Sequence, residues 1–216
     1  MIILSKAITM KKSNFLFIIT RLTPLFIIAC LCIGWADTWD GLKTAAGKVT
    51  SISAEFTQEK HMKILTRPLV SEGVLYFQAP NSLRWEYIRP IRSILLMHDG
   101  KTKRLVQRDE GLVEDASVNF QSMHMVVQNI TQWLSGRFNM NPAFNATLEP
   151  GHKIVLVPKE KSFAMLIKRI EIILSDLPAI IKSVTIYESQ DSFTKLDFKN
   201  VTLNRTLEDS IFCKIQ

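Results

Sequence analysis

The sequence predicts an α+β fold in which about ten antiparallel strands, too many to stay flat, curl into a barrel or half-barrel beside two helical segments. Three observations carry this. From Val49 onwards apolar and polar residues alternate with period two over much of the chain. Clusters of Pro, Gly, Asn and Asp punctuate that alternation at hairpin spacing. In two places, 38–48 and 119–134, apolar residues recur at helical spacing instead.

The first helix is expected over Thr38 to Lys48, where Trp39, Leu42, Ala45 and Ala46 share a face and Asp37 or Thr38 caps it. In the next stretch Ile52, Ala54, Phe56 and Gln58 alternate with Ser51, Ser53, Glu55 and Thr57, a strand with one buried face. Val70 to Gln78 is the second strand, with Gly73 as a bulge. Ala79-Pro80-Asn81-Ser82 is a turn. Alternation then sends Leu83, Trp85 and Tyr87 to one side and Arg84 and Glu86 to the other, where solvent is expected. Ile91 to His98 and Lys101 to Arg108 are strands joined by the hairpin turn Asp99-Gly100. Asp109-Glu110-Gly111 opens a loop.

The second helix is expected over Asn119 to Leu134, on the spacing of Met123, Val126, Val127, Ile130 and Leu134, with Gly136 as its stop. Further strands follow at Ala143 to Glu149, Lys153 to Pro158, Arg169 to Leu174, Ile180 to Glu188, Phe193 to Phe198 and, last, Ser210 to Ile215. The helices must lie on the concave face of such a sheet or plug its mouth.

The chain's 216 residues suit one domain, 37–216, behind a targeting segment, 1–36. That segment holds Lys6, Lys11, Lys12 and Arg21 and no acid, then an apolar run, then Gly34-Trp35-Ala36. Basic, apolar and small in that order is a secretion signal cut after Ala36, which sends the protein to the periplasm. Met10-Lys11-Lys12 offers an alternative start to Met1. The competing reading is a permanent anchor. Against it, Arg21 and Pro24 interrupt the run, and Leu25 to Ala36 is shorter than the roughly 20 residues needed to span a bilayer. A third reading puts a lipid on Cys30, because Ile27-Ile28-Ala29-Cys30 loosely fits a lipoprotein processing box.

Without the four bases of that segment, 23 basic residues face 20 acidic ones, a net charge of +3 rather than +7. No basic stripe interleaved with aromatics is left, so no nucleic-acid partner is expected. Only Cys213 remains after cleavage, and a single cysteine forms no internal disulfide.

No catalytic constellation assembles from the sequence. His61, His98, His124 and His152 stand at no metal-ligand spacing with one another or with a cysteine. There is no Gly-rich phosphate loop, no G-x-S-x-G and no H-E-x-x-H, so neither cofactor nor metal is expected. Glu86 and Glu188 read as solvent-facing strand carboxylates, His98 with Asp99 as a hairpin-turn pair, and Cys213 as packed on the terminal strand.

The run Glu55-Phe56-Thr57-Gln58, then Glu72-Gly73-Val74-Leu75-Tyr76-Phe77, then Pro80 to Tyr87 with its Arg84-Trp85-Glu86-Tyr87, then Pro90 and Asp99-Gly100, resembles the periplasmic outer-membrane lipoprotein carrier family, LolA. The match is good over about 40–110; beyond it only the strand rhythm and the mid-chain helix agree. The resemblance implies an unclosed antiparallel β-barrel of about ten to eleven strands with helices as a lid over an apolar cavity. It implies that lipoproteins are received from an inner-membrane transporter and delivered to an outer-membrane receptor. Two departures mark a divergent member. Ala79 stands where the family has an arginine that helps keep the lid closed, and the chain ends soon after Phe212, where longer carriers continue. Both suit a divergent member that carries glycolipid or another lipidated product.

The physics of such cargo agrees. Acyl chains gain about 0.8 kcal/mol per buried CH₂, which for three chains amounts to some tens of kcal/mol and demands a deep cavity. Aromatics supply area and Met adaptability. The inward set is Phe56, Leu75, Phe77, Leu83, Trp85 and Tyr87, with Met97; the lid set is Met123, Val127, Ile130 and Trp133. The same stripe is also what an ordinary core looks like. The expected role is a monomeric, non-enzymatic carrier of acyl chains; the alternatives are a lipid-sensing module or a structural envelope module of the same fold.

Overall fold

Residues 38–115, 129–177 and 179–214 are described by a computed structural model. The segment 1–36 with Cys30, the first part of the second helix, and Met123, His124 and Val127 lie outside the described residues.

The period-two alternation becomes one 11-stranded antiparallel sheet. Its strands are β1 (Ser51–His61), β2 (Leu69–Gln78), β3 (Ser82–Arg89), β4 (Ser93–His98), β5 (Lys101–Arg108), β6 (Gly111–Glu114), β7 (Phe144–Glu149), β8 (Lys153–Pro158), β9 (Arg169–Leu174), β10 (Ile181–Tyr187) and β11 (Phe193–Leu203). Their order is β6-β5-β4-β3-β2-β1-β11-β10-β9-β8-β7. Two meanders are thus joined along β1 and β11, and the sheet ends on two free edges, β6 and β7, rather than closing. This is the unclosed barrel that the sequence leads one to expect.

Local chemistry fixes the registers. At Gly73, β2 slips by one residue against β3. A Cβ there would overlap the Glu86 carbonyl and the Phe56 ring, so the bulge needs glycine. Asp99 and Gly100 both have positive φ, 49° and 70°, the two-residue hairpin turn that their sequence dictates.

Helix α1 (Trp39–Ala46) starts at Thr38, whose Oγ1 accepts from the Gly41 N–H at 3.0 Å. It buries Leu42 and Ala46. Of the second helix, α2, residues 129–134 are described. Gly136 ends it with φ 71° and lies so close to α1 that an added Cβ would stand 2.6 Å from that of Ala46. The main core occupies the concave side, where Phe56, Leu75, Phe77, Leu83 and Trp85 pack with Trp133 and Phe138 and with Ile154, Ile172 and Val184 of the C-terminal strands.

The structure corrects the sequence reading at several points. The expected loop after Arg108 is only the two-residue turn Asp109-Glu110, and β6 follows it. A one-turn helix, α3 (Lys161–Ala164), falls where no element was expected. The expected last strand at Ser210 is another helical turn, α4 (Ser210–Cys213). The reason is topological: β11 already has β1 and β10 on its two sides, so the chain leaving it finds no edge to extend. Instead it crosses the convex face. Asn204 N–H donates to the Ser51 carbonyl at 2.9 Å and Ser51 Oγ to the Arg205 carbonyl at 2.5 Å. Phe212 then stacks on His98, ring centroids 5.8 Å apart. Cys213 is exposed rather than packed. The chain therefore does continue past the last strand, as a strap.

The strap also corrects the reading of Arg84 and Glu86. They do point away from the concave face, yet each is only 7% exposed. Arg84 Nε donates to Glu86 at 2.8 Å, and its Nη1 to the carbonyls of Ile211 and Lys214 at 2.9 and 3.0 Å. Arg92 Nε reaches the other Glu86 oxygen at 2.9 Å. A second small core of Ile94, Leu96 and Leu105 lies on this same convex side.

Candidate functional site

The registers of β1 to β4 line up three aromatics on the concave face. Phe56 lies opposite Gly73, Gly73 opposite Tyr87, and Leu75 opposite Trp85. The missing side chain at Gly73 lets the Phe56 ring reach across to β3. Phe56 and Trp85 lie 4.7 Å apart, and Phe56 meets Tyr87 edge-on at 5.1 Å. Phe198 of β11 closes the cluster against Trp85 at 6.1 Å. These tilted and edge-on ring contacts form the floor of the concave face.

Beside this floor is a cavity of about 510 Å³. Trp85 and Tyr87 form one wall, with Leu95 of β4. Ile130 and Trp133 of α2 form the roof. Ile170, Ile186 and Leu196 form the opposite wall, and Phe144 with Phe163 and Ile167, from the α3 region, closes the side. Leu166 and the Lys60–Glu188 pair, 3.5 Å apart, stand at its margin.

Of the inward set read from sequence, Trp85 and Tyr87 therefore line the void, as do Ile130 and Trp133 of the lid set. Phe56, Leu75, Phe77 and Leu83 are buried in packed core, and Met97 packs half-buried against it. The C-terminal wall was not singled out in the sequence. Its signal was present in the same alternation, which turns Ile170, Ile172 and Leu174 to one face of β9. The α3 contribution was announced by Phe163, Met165, Leu166 and Ile167, an apolar run with no strand period.

A few polar groups punctuate the lining. Tyr87 donates its hydroxyl to Gln58 Oε1 at 2.7 Å. Tyr87 is half-buried, part of its surface facing the void, and the desolvation of its hydroxyl pushes the pKa up to about 12. Arg104 faces the cavity paired with Asp115 at 3.0 Å. Asn129 is buried and accepts a hydrogen bond from Asn141. Trp133 is fully buried, and its indole N–H has no partner among the described residues. The site thus offers apolar contact area and little directional chemistry.

Among the described residues, no catalytic cluster adjoins it. Glu86 lies on the convex face and Glu188 at the cavity margin, so the two carboxylates do not meet. Ser82, His98 and Asp99 stand in sequence at 2.8 and 3.4 Å, but Asp99 is 84% exposed and His98 is stacked beneath the strap. They sit at the end of the sheet remote from the cavity. Among the described residues no group of three His, Cys, Asp or Glu is placed to hold a metal ion, and no helix is long and apolar enough to cross a membrane.

The family model for the outer membrane lipoprotein carrier protein LolA matches residues 47–214. The chain belongs to the LolA family. Among LolA relatives, the outer-membrane lipoprotein carrier protein of Cronobacter sakazakii is 28% identical over 133 residues, 59% of this chain and 60% of the relative. The chain thus spans about 60% of that relative's length. Among solved structures, a LolA superfamily protein from Nitrosomonas europaea is similar with a TM-score of 0.42 at 10% identity, over 83% of this chain and 99% of that one. A chain of the Pseudomonas aeruginosa MucA/MucB complex gives a TM-score of 0.49 at 12% identity, over 80% and 59%. Relative to the family pattern, Ala79 lies exposed in the β2–β3 turn, at the end of the sheet away from the cavity.

Proposed function

We propose that this protein is a monomeric periplasmic carrier that takes the acyl chains of lipoproteins, or of a related glycolipid, into the concave cavity. It receives them from an inner-membrane transporter and delivers them to an outer-membrane receptor. The single observation that carries this reading is the roughly 510 Å³ void on the concave face, walled by Trp85, Ile130, Trp133, Ile170, Ile186 and Leu196. Ligand sites run to about 300–1,000 Å³, and an apolar lining with sparse polar groups selects hydrocarbon over any hydrogen-bonding ligand. Each buried methylene contributes about 0.8 kcal/mol, so a long chain prefers this lining strongly to water. The lid residues Met123 and Val127 belong to the same proposal, as does cleavage after Ala36 to release a soluble protein.

Native mass spectrometry of the protein purified from an envelope extract without detergent tests this. The expected result is a chain starting at Asp37 that carries a lipidated species of defined mass. A clean unliganded mass that persists after incubation with inner-membrane vesicles defeats it.

A further inference from the structure

The two ends of the sheet differ. One end carries the short turns β2–β3, β4–β5 and β7–β8 and the longer β9–β10 connection, with positive φ at Asp99, Gly100, Gly151, His152 and Ala179. The other end carries the connections 62–68, 90–92 and 159–168, together with the acidic turns 109–110 and 188–192, which hold Asp109, Glu110, Glu188 and Asp191. Among the described residues, every exposed large apolar side chain except Val113, Met140 and Leu177 lies at this second end. Ile64 is 82% exposed, Met165 74%, and Leu166 and Ile91 64% each. A soluble protein does not gather such side chains at one rim without a partner for them.

Two further facts say what that partner is. The cavity is lined from the strand halves nearest this end, and Leu166 belongs both to the cavity wall and to the exposed set. The apolar rim therefore surrounds the cavity's own end of the sheet. The apolar-bearing connections are also basic. The segment 62–70 holds Lys63 and Arg67, 88–91 holds Arg89, and 157–168 holds Lys159, Lys161 and Lys168, against the one acid Glu160. Lys63 pairs with Asp191 at 3.3 Å and Arg89 with Glu72. Arg67, Lys159 and Lys161 pair with no carboxylate among the described residues. Exposed aliphatic tips interleaved with spare cations match the boundary of an anionic bilayer, where hydrocarbon and lipid phosphate lie within a few ångströms of each other.

We propose that this rim docks on the surface of an anionic lipid bilayer. Ile64, Met165 and Leu166 enter the acyl boundary, while Arg67, Lys159 and Lys161 engage lipid phosphates. The cavity then faces the membrane, and an acyl chain passes between the two without crossing water. The inference rests on the carrier reading for its purpose, but its geometry stands on the rim alone.

The test is vesicle flotation of the protein in the form that cells accumulate. One vesicle set is phosphatidylethanolamine with phosphatidylglycerol, and the other is phosphatidylcholine alone. Partitioning to the anionic vesicles is expected to exceed that to the neutral ones by about tenfold and to fall with added salt. Ile64→Asp with Leu166→Asp should abolish that preference, Lys159→Glu with Lys161→Glu should reduce it several-fold, and Leu177→Asp, at the opposite end, should leave it intact. An equal loss from Leu177→Asp, or no partitioning to either vesicle, overturns the proposal; the latter gives the rim to a protein partner. Bound lipid measured on the same samples separates the two readings. Rim-dependent flotation of a protein that carries no lipid sinks the carrier reading alone, and a lipid-loaded protein that never floats sinks the docking proposal alone.

Discussion

On one side of β3 stand Leu83, Trp85 and Tyr87; on the other stand Arg84 and Glu86. Alternation separates the two sets cleanly, and both are covered, but by unlike means. The concave set is covered by aromatic contact and by the helices, and needs only shape. The convex set is covered by the strap, and needs partners for every charged atom. Arg84 finds them in Glu86 and in the carbonyls of Ile211 and Lys214, while Glu86 bridges Arg84 and Arg92. An ion pair so enclosed is strong only while complete. The strand shows that side-chain direction and burial are separate questions.

The largest effect that tests this contrast is Glu86→Ala. It leaves the Arg84 guanidinium enclosed without its counter-ion and should cost about 3–5 kcal/mol in urea denaturation. The folded fraction should still bind cargo, since no cavity wall is touched. A loss no greater than that from removing the exposed Arg89–Glu72 pair would show that the strap does not enclose the charges. Next is cargo retention itself. Trp85→Ala opens the cavity wall and should lower bound lipid at least several-fold more than Arg84→Ala, read as the liganded fraction in native mass spectra. Equal loss from both would mean that the two faces of β3 are misassigned.

A smaller effect concerns alkaline pH. The Tyr87 pKa is raised by burial from 10.0 to about 12 in the folded chain. Between those values the unfolded chain gives up its phenolic proton and the folded chain keeps it. The stabilisation is therefore complete below about pH 10 and is lost as the pH climbs towards 12. Tyr87→Phe should flatten that part of the stability profile. The smallest effect is expected from Trp133→Phe, which removes a buried N–H that has no partner among the described residues. It should change stability by less than about 1 kcal/mol, because the lost contact area is offset by the loss of an unsatisfied donor.

The strand pattern was legible because period-two alternation depends on nothing beyond the strand's own residues. Phe56, Gly73 and the Asp99-Gly100 turn declared their roles directly. The strap was not legible, because Ser210 to Ile215 has β composition and only the full strand order denies it an edge. Arg84 and Glu86 were read as solvated for the same reason: what covers them lies more than a hundred residues away. In the cavity, the sequence separates walls from core poorly. Trp85 and Phe77 share a face of adjacent strands and are equally buried, yet only Trp85 borders the void. The distinction depends on where α2 and the α3 segment come to rest, which no local pattern encodes.

The two bare edges, β6 and β7, have one last consequence. In a closed barrel, strand number and stagger fix the girth, and nothing larger enters unless a ladder breaks. Here, among the described residues, no ladder joins the ends of the sheet. The two meanders can spread apart about the long β1–β11 seam with every interstrand hydrogen bond intact, at the cost of side-chain contacts alone. On the carrier reading proposed above, the size of the container follows its contents, as a hinged shell opens to its load, and one sequence serves chains of different length and number.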